Sequence, residues 1–349
     1  MKSIGRIMHM ISSPEVLDRA ATIVCSHRKD KTEVAEFLLH REEYLEQIRN
    51  MLVSESFRSS RYNMFYRYDT GKVRFIANLP IYPDRIVQTA ICLVAVPLIE
   101  PKLMDFANGS RPGHGTHNAV MNVYKDLGDP DVAFAFVGDI KQCYPSMDHE
   151  MVKAAVDDHF REKSFRRLVH GIIDDYPYPG IPPGNPLSPL LFHIALNGLM
   201  HRMAEVHHVH MITTYADNFV ILGYSKSWLH RIRMVLESEL EAIGLRLKED
   251  WQIFPIDSRP IDFAGYLIYS DHILLRKNIK RRMQRKASRI QSKIDNGEEL
   301  NSHDIGCIYS YNGVLKWCDG YKLKAATIGP ILEHIENTRR AGPEVILNE

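Results

Sequence analysis

The stretch Met211-Ile-Thr-Thr-Tyr-Ala-Asp-Asn-Phe-Val-Ile-Leu222 places two apolar, β-branched runs around a short polar centre. That pattern predicts a β-hairpin with its tip near Ala216-Asp217-Asn218. Turn chemistry alone accounts for the polar pair, because Asp and Asn tolerate turn backbone angles. The same placement also presents a carboxylate at the end of a buried hairpin.

A second stretch bears on the choice. Phe136-Val-Gly-Asp-Ile-Lys-Gln-Cys-Tyr-Pro-Ser-Met-Asp-His149 ends the predicted strand Val132–Val137 and delivers Asp139 just beyond it. An acid at the end of a buried strand needs a partner charge, a hydrogen-bond network or a metal, since a lone buried carboxylate is costly. A helix cap or an ion pair is the ordinary outcome. Two strand-borne carboxylates, Asp139 and Asp217, would make an oxygen-ligand site. Mg²⁺ suits such a site, taking one or two protein carboxylates and completing its octahedron with water and substrate phosphates.

Around these stretches the chain reads as α+β, with strands and helices mixed but not regularly alternating. Helical spacing fills residues 1–60, for example Thr32–Leu39 and Tyr44–Leu52. Residues 61–80 alternate aromatic, basic and aliphatic residues around Asp69-Thr-Gly71, a hairpin pattern. An apolar helix is expected over 84–105, a Gly/Pro loop over Asn108–Gly115, and a helix from Thr116. Helices are expected over 148–175, then a rigid loop Tyr178–Pro186. Ser188-Pro189 starts another helix, with Ser as N-cap and Pro at the first helical position. A helix over Ser227–Ile243 and strands around Trp251–Phe254 and Ile261–Ile268 follow. From about Leu275 the chain is helical and basic.

The chain has 349 residues and a formal net charge of +1, which does not announce a nucleic-acid binder. The average hides the run Arg276–Lys293, with nine Lys or Arg and no acid. It is either a solvated helix face or a phosphate-facing surface. No segment approaches the roughly 18 uncharged apolar residues of a membrane span. The start lacks the features of a signal peptide. The five cysteines are scattered, odd in number and free of zinc spacing. A reduced, cytoplasmic protein is the simplest expectation.

Several blocks, in order across residues 60–270, make the chain resemble the reverse transcriptases of bacteria and their phages. Asp139 with Tyr144 resembles the first palm motif and Gly180–Phe192 the second. Tyr215-Ala-Asp-Asn218 matches the YxDD box. Gly244-Leu-Arg-Leu-Lys248 and Phe263-Ala-Gly-Tyr266 match the later palm motifs. Lys72-Val-Arg74 and Pro83–Gln88 resemble the fingers blocks, and Ser110–Gly115 the loop that follows. The resemblance implies a right-hand polymerase fold. Its parts would be an N-terminal helical extension over 1–60, fingers over 61–130, a palm over 131–270 with inserted helices 148–180, and a basic helical thumb over 271–349.

The resemblance also implies roles. Asp139 and Asp217 would hold two Mg²⁺ ions, with Mn²⁺ as a substitute and the Ile140 carbonyl as a helper. Lys72 and Arg74 would grip the incoming triphosphate, or be solvated hairpin charges. Tyr144 stands at the position that excludes a 2′-hydroxyl; a core aromatic is the alternative. Gly184 would let backbone approach the templating pair. Lys248 would donate a proton to pyrophosphate, or be a surface lysine. Arg276, Lys277, Lys280, Arg281, Arg282, Arg285, Lys286 and Arg289 would track phosphates, whereas Trp317 is expected to pack. The implied partners are an RNA template, a DNA or RNA primer, dNTPs, a cognate structured non-coding RNA and an accessory protein subunit, without a membrane.

Two positions depart from the family. Asn218 stands where the box usually has a second Asp. Pro183 stands where many relatives carry Gln, a residue that the diversity-generating retroelement enzymes also lack there. Ser188-Pro189 instead follows the group II intron and retron pattern. The subfamily therefore stays open among diversity-generating, retron-like and antiphage-defence enzymes. Two other functions compete: a defence polymerase making repetitive or protein-primed DNA, and a catalytically silent RNA-binding scaffold.

Overall fold

The computed structural model describes residues 6–26, 32–69 and 72–340. Helices α1 (Ile7–Ile11), α2 (Pro14–Ser26), α3 (Thr32–Leu39) and α4 (Arg41–Val53) come first. The hairpin β1 (Asn63–Asp69) and β2 (Lys72–Asn78) follows, then a π-type turn at Ile81–Arg85 and helix α5 (Ile86–Ile99). The middle of the chain forms β3 (Ala107–Asn108), α6 (Thr116–Asp126), β4 (Phe134–Asp139), α7 (Cys143–Ser146), α8 (His149–His159), α9 (Lys163–Asp174) and α10 (Ser188–His201). Next are β5 (Ile212–Tyr215), β6 (Asn218–Gly223), α11 (Lys226–Glu241), β7 (Gln252–Pro255), β8 (Ile261–Phe263), β9 (Tyr266–Ile268) and β10 (Ile273–Leu275). Four helices close the described chain: α12 (Lys277–Asp295), α13 (Ser302–Leu315), α14 (Tyr321–Thr327) and α15 (Gly329–Arg340).

The chain divides into two compact units. The first takes the chain up to Arg111, Gly138–His210 and Arg231–Trp251. The second takes Pro112–Val137, Met211–His230 and the chain from Gln252 on.

In the first unit α5 is apolar on every side, the pattern of a buried helix. Ile86, Val87, Ala90, Ile91, Ala95 and Ile99 are fully buried, and α5 packs on α1, α2 and α10. Each buried Ile or Val side chain contributes about 1.5–3 kcal/mol. The helical run Ile81–Lys102 is long and apolar enough, by length and composition alone, to cross a membrane. Its uncharged stretch, Ile86–Ile99, stays short of the 18 or so residues expected of a span, and its packing makes it the core helix of this unit. Asp84, buried at its head, accepts from the Ser60 N–H at 2.9 Å. Desolvation pushes this carboxyl above its ordinary range despite that bond.

In the second unit β5, β6, β4 and β7 lie side by side in that order. β5 and β6 are antiparallel, running from Ile212 opposite Ile221 to Tyr215 opposite Asn218. β4 pairs with β7 through Phe134–Pro255 and Val137–Gln252. A small antiparallel sheet, β8–β9–β10, stands beside them in the chain. The core joins strands to the terminal helices: Val120, Val220, Phe254, Phe263, Ile268, Met283, Ile290, Ile308 and Ile331 form one buried cluster.

The mixed architecture agrees with the α+β expectation. Details moved. The strand expected at 132–137 lies at Phe134–Asp139, so Asp139 is its last residue. The strand expected at Ile261–Ile268 is two strands around Ala264 and Gly265, whose φ values are +47 and +93. Ser188 is the first residue of α10, not its cap: Leu187 caps the helix, and Ser188 Oγ donates to the Pro182 carbonyl at 2.6 Å. The tip of the 61–80 hairpin, Thr70-Gly71, lies outside the described residues.

Candidate active site

The β5–β6 hairpin closes on Tyr215 opposite Asn218, so Ala216 and Asp217 alone form the turn. Ala216 adopts φ +51. The left-handed region costs a residue with a Cβ roughly 1–2 kcal/mol. Four buried neighbours in the strands, Thr213, Thr214, Phe219 and Val220, hold the register. Asp217 and Asn218 are half-buried. The Asn218 Nδ2 donates to Asp217 Oδ1 at 3.2 Å. Thr116 Oγ1, from the N-terminus of α6, donates to the Tyr215 hydroxyl at 2.9 Å.

Asp139 ends β4, the strand beside β6. It belongs to the first unit and Asp217 to the second. Within the first unit, the segment Gly244–Lys248 runs beside Asp139. The Lys248 N–H donates to the Asp139 carbonyl at 2.8 Å, and the Lys141 N–H to the Arg246 carbonyl at 2.8 Å. Ile140 bridges Leu247 and is 1% exposed. The structure thus ties Lys248 to Asp139 through the backbone. Its ammonium lies 2.5 Å from Asp250 Oδ2.

Tyr144 sits in α7 and stacks on Phe192 of α10, with ring centroids 5.7 Å apart and planes 9° apart. Its carbonyl accepts from the Ile181 N–H at 2.9 Å. Gly180 makes that approach feasible. At φ +89 a Cβ would fall 2.3 Å from the Tyr144 carbonyl oxygen, far inside van der Waals contact. Gly184 also has positive φ, +91, but open space beside it.

Arg74, Pro183 and Gly184 line one cleft of about 710 Å³ in the first unit, with Pro145, the residue after Tyr144. Lys72 opens β2 opposite Asp69. Four of the other lining residues, Tyr66, Phe75, Tyr176 and Tyr178, are aromatic. The sequence reading did not single them out. Their signal was the alternation of 61–80 together with the Tyr-Pro-Tyr-Pro run, taken there only as strand and loop. Arg111, from the motif Ser110–Gly115, is structural: it is buried and pairs with Glu100 Oε1 at 2.7 Å.

The basic run folds as α12. Met283, Ala287 and Ile290 form its buried stripe, spaced as a helix requires. Lys277, Lys280, Arg281, Arg282, Arg285 and Arg289 are exposed. The other two candidates have internal partners. Arg276 Nε donates to Asp262 Oδ1 at 2.6 Å. Lys286 donates to buried Asp304 at 2.8 Å, as does Lys293 at 2.7 Å. These two ammonium groups hold the Asp304 carboxyl below its usual range. Trp317 packs as expected, stacked on His117 at 4.9 Å.

Among the described residues no group of three or more His, Cys, Asp or Glu forms a metal cluster. The donors in the motif blocks are oxygens: two carboxylates, the Asn218 amide and the Ile140 carbonyl. Asp139 and Ile140 belong to the first unit and Asp217 and Asn218 to the second; oxygen donors of this kind suit a hard cation such as Mg²⁺.

Comparison with known proteins bears on this arrangement. A family model described as "Reverse transcriptase (RNA-dependent DNA polymerase)" matches residues 63–268. The group II intron-encoded protein LtrA of Lactococcus lactis subsp. cremoris is 28% identical over 131 residues, covering 35% of this chain. Protein YkfC of Escherichia coli K12 is 27% identical over 213 residues, covering 56% of this chain. The chain spans 21% of the length of the first and 56% of the second. Among solved structures, apo telomerase from Candida tropicalis superposes with a TM-score of 0.52 at 11% identity, over 66% of this chain and 50% of that one. At that identity the likeness concerns the fold, the right-hand polymerase architecture.

Proposed function

The chain belongs to the reverse transcriptase family, and we propose that it copies RNA into DNA by adding deoxynucleotides to a primer 3′-end. The observation that carries this reading is the hairpin itself: Tyr215-Ala-Asp-Asn218 forms a tight two-residue turn inside the matched region, with Asp217 in the turn. Phosphoryl transfer needs in-line positioning and neutralisation of phosphate charge more than covalent chemistry. Divalent cations, when bound, would supply that neutralisation at the attacking and leaving oxygens.

The roles of the chain's own groups follow from their chemistry. Asp139 and Asp217 would hold the cations through their carboxylates, with the Ile140 carbonyl assisting. Arg74, and Lys72 beside it in sequence, would bind the triphosphate of the incoming nucleotide. Tyr144 would oppose a 2′-hydroxyl, its ring fixed by Phe192. Gly184 would leave room for the templating pair, next to Pro183, which brings neither a side-chain donor nor an N–H. The Lys248 ammonium would reach pyrophosphate only by leaving Asp250. The exposed cations of α12 would follow the phosphates of the primer–template duplex. In this reading 61–130 act as fingers, 131–270 as palm and 271–349 as thumb. The template is a dedicated structured RNA, in a retroelement or a phage-defence system, with an accessory protein as a further partner.

Primer extension on an RNA template with purified protein, dNTPs and Mg²⁺ or Mn²⁺ tests the reaction. Sequencing the RNA and DNA that co-purify tests the template. An absence of RNA-dependent DNA synthesis with either metal would overturn the reading.

A further inference from the structure

The head of α5 buries a carboxylate beside a second acid. Asp84 is 0% exposed. Its Oδ1 accepts from the Ser60 N–H, as described above, but its Oδ2 has no hydrogen-bond partner. Burial pushes this carboxyl up, and the nearby charge that adds to the rise is Asp175. Asp175 in turn accepts from the Ser59 N–H at 2.7 Å. More oxygens converge here. Asn185, 4% exposed, donates through Nδ2 to the Tyr62 hydroxyl at 3.4 Å, and its Oδ1 is buried without a partner. Ser59 Oγ is likewise buried and unpartnered. Tyr62 ties the set together: burial pushes its hydroxyl up, and the charges of Asp84 and Asp175 push it further. All of these residues belong to the first unit.

The chemistry selects the occupant. Buried polar atoms without partners call for an ion, a water or a proton, and a buried carboxylate is costly unless it is paired. A water molecule could donate to Asp84 Oδ2 and Asn185 Oδ1, but it would leave the charge uncompensated. A cation answers both needs. Its ligands would be a carboxylate oxygen, an amide oxygen and hydroxyl oxygens. Neutral oxygen dipoles of this kind take the place of the hydration shell of K⁺. Mg²⁺ keeps several of its waters, and Ca²⁺ takes about six to eight oxygens with several carboxylates among them. One fully buried carboxylate and a few neutral oxygens suit a single positive charge better.

We propose that Asp84 Oδ2, Asn185 Oδ1, Ser59 Oγ and the Tyr62 hydroxyl bind a monovalent cation, K⁺ or Na⁺, within the first unit. The placement gives the ion a task. Asn185 follows Gly184, which lines the cleft, and the Leu187 N–H donates to Gln88 Oε1 of α5 at 3.4 Å. The bound ion fastens the loop 181–187 to the head of α5. Nothing in this assignment depends on the polymerase reading.

The test is thermal unfolding of the full chain at constant ionic strength, at a pH where free carboxylates are ionised. The salts are KCl, NaCl, MgCl₂ and choline chloride, whose cation is too large for the site. KCl or NaCl should raise the melting temperature above that in choline chloride by on the order of 5 °C, saturating with concentration. Tyr62→Phe and Ser59→Ala each remove one oxygen and keep the packing. Each should raise the K⁺ or Na⁺ concentration giving half the effect by about tenfold. Asp84→Asn should abolish the effect; if that variant does not fold, the other two still decide. Crystals soaked in Rb⁺ or Tl⁺ should show an anomalous peak beside Asp84 Oδ2. Equal melting in KCl, NaCl and choline chloride overturns the site and leaves Asp84 protonated or bridged by water. Stabilisation by MgCl₂ alone overturns it as well. So does a K⁺ or Na⁺ effect unaltered in all the variants, which would place the ion elsewhere. None of these readings uses primer extension, so failure of the polymerase reading would leave the site standing, and failure of the site would leave that reading standing.

Discussion

The side-chain amide of Asn218 donates to Asp217 Oδ1 across 3.2 Å, at the position where related boxes carry a second acid. An amide occupies a lone pair of the carboxylate and adds no charge. The site should therefore bind Mg²⁺ more weakly than a two-acid box. Asn218→Asp should preserve or raise synthesis and lower the Mg²⁺ concentration giving half-maximal rate. Mn²⁺, which binds such ligands more tightly, should raise wild-type activity more than that of the variant. A metal titration of primer extension reads both. Loss of activity in Asn218→Asp would mean that the amide has a specific role.

Asp139→Asn and Asp217→Asn should each reduce DNA synthesis by several orders of magnitude, because each removes a charge assigned to the metals. Mn²⁺ should rescue neither. Both variants should keep the wild-type circular-dichroism melt, as Asp217 lies in a turn and Asp139 at a strand end. Robust extension by a clean preparation of either would remove it from the catalytic site.

Tyr144→Ala should admit ribonucleotides, while Tyr144→Phe should retain discrimination, since the stacked ring rather than the hydroxyl does the excluding. The measurement is the ratio of kcat/KM for dATP over ATP. An unchanged ratio in the alanine variant would leave Tyr144 as a packing residue on Phe192.

Arg281, Arg282 and Arg285 changed together to Gln should weaken nucleic-acid binding and flatten its salt dependence. Each lost phosphate contact lowers the slope of log affinity against log salt by about 0.7–0.9. The triple variant should thus lose about two to three in slope, if all three contact phosphates. A slope equal to that of the wild type would move the phosphate surface off α12.

Asp304→Asn should act differently. It removes the charge and one of the two acceptor oxygens shared by two ammonium groups. A buried pair broken this way costs about 3–5 kcal/mol; the lysines are partly exposed, so about 1–3 kcal/mol is expected. Urea denaturation reads this loss. The sign with pH is fixed by the lowered pKa of Asp304. Its contribution is complete above the unfolded value of about 4 and is lost as pH falls through the lower folded value. The difference between wild type and variant should therefore shrink in acid. A constant difference would assign the effect to packing.

Much of this arrangement was legible in the chain. The hairpin at Asp217 was visible because alternation and turn residues are local signals. Asp139 was visible because a strand of aliphatic and aromatic residues ended in an acid. Other features depended on distant partners. Nothing local told Lys286 from Arg285, yet one is held by Asp304, eighteen residues away, and the other faces solvent. Ser188 followed by Pro189 had the form of a cap, but its hydroxyl found the Pro182 carbonyl instead. Tertiary contact overrode the local preference. The aromatic cleft was missed for the same reason: Tyr66 and Tyr178 become neighbours of one opening only when two segments about a hundred residues apart meet.

Each compact unit is assembled from three separated stretches of chain. This interleaving orders events during synthesis. The first unit cannot be completed until the ribosome has released residues up to Trp251, although its first helices are made long before. By then most of the β5–β6 hairpin's sheet has emerged as well, and β4 is already shared between the two units. Neither unit can be exchanged as a single cassette by recombination. A single crossover anywhere from 112 to 252 leaves at least one unit built from both parents' stretches, which must still pack together.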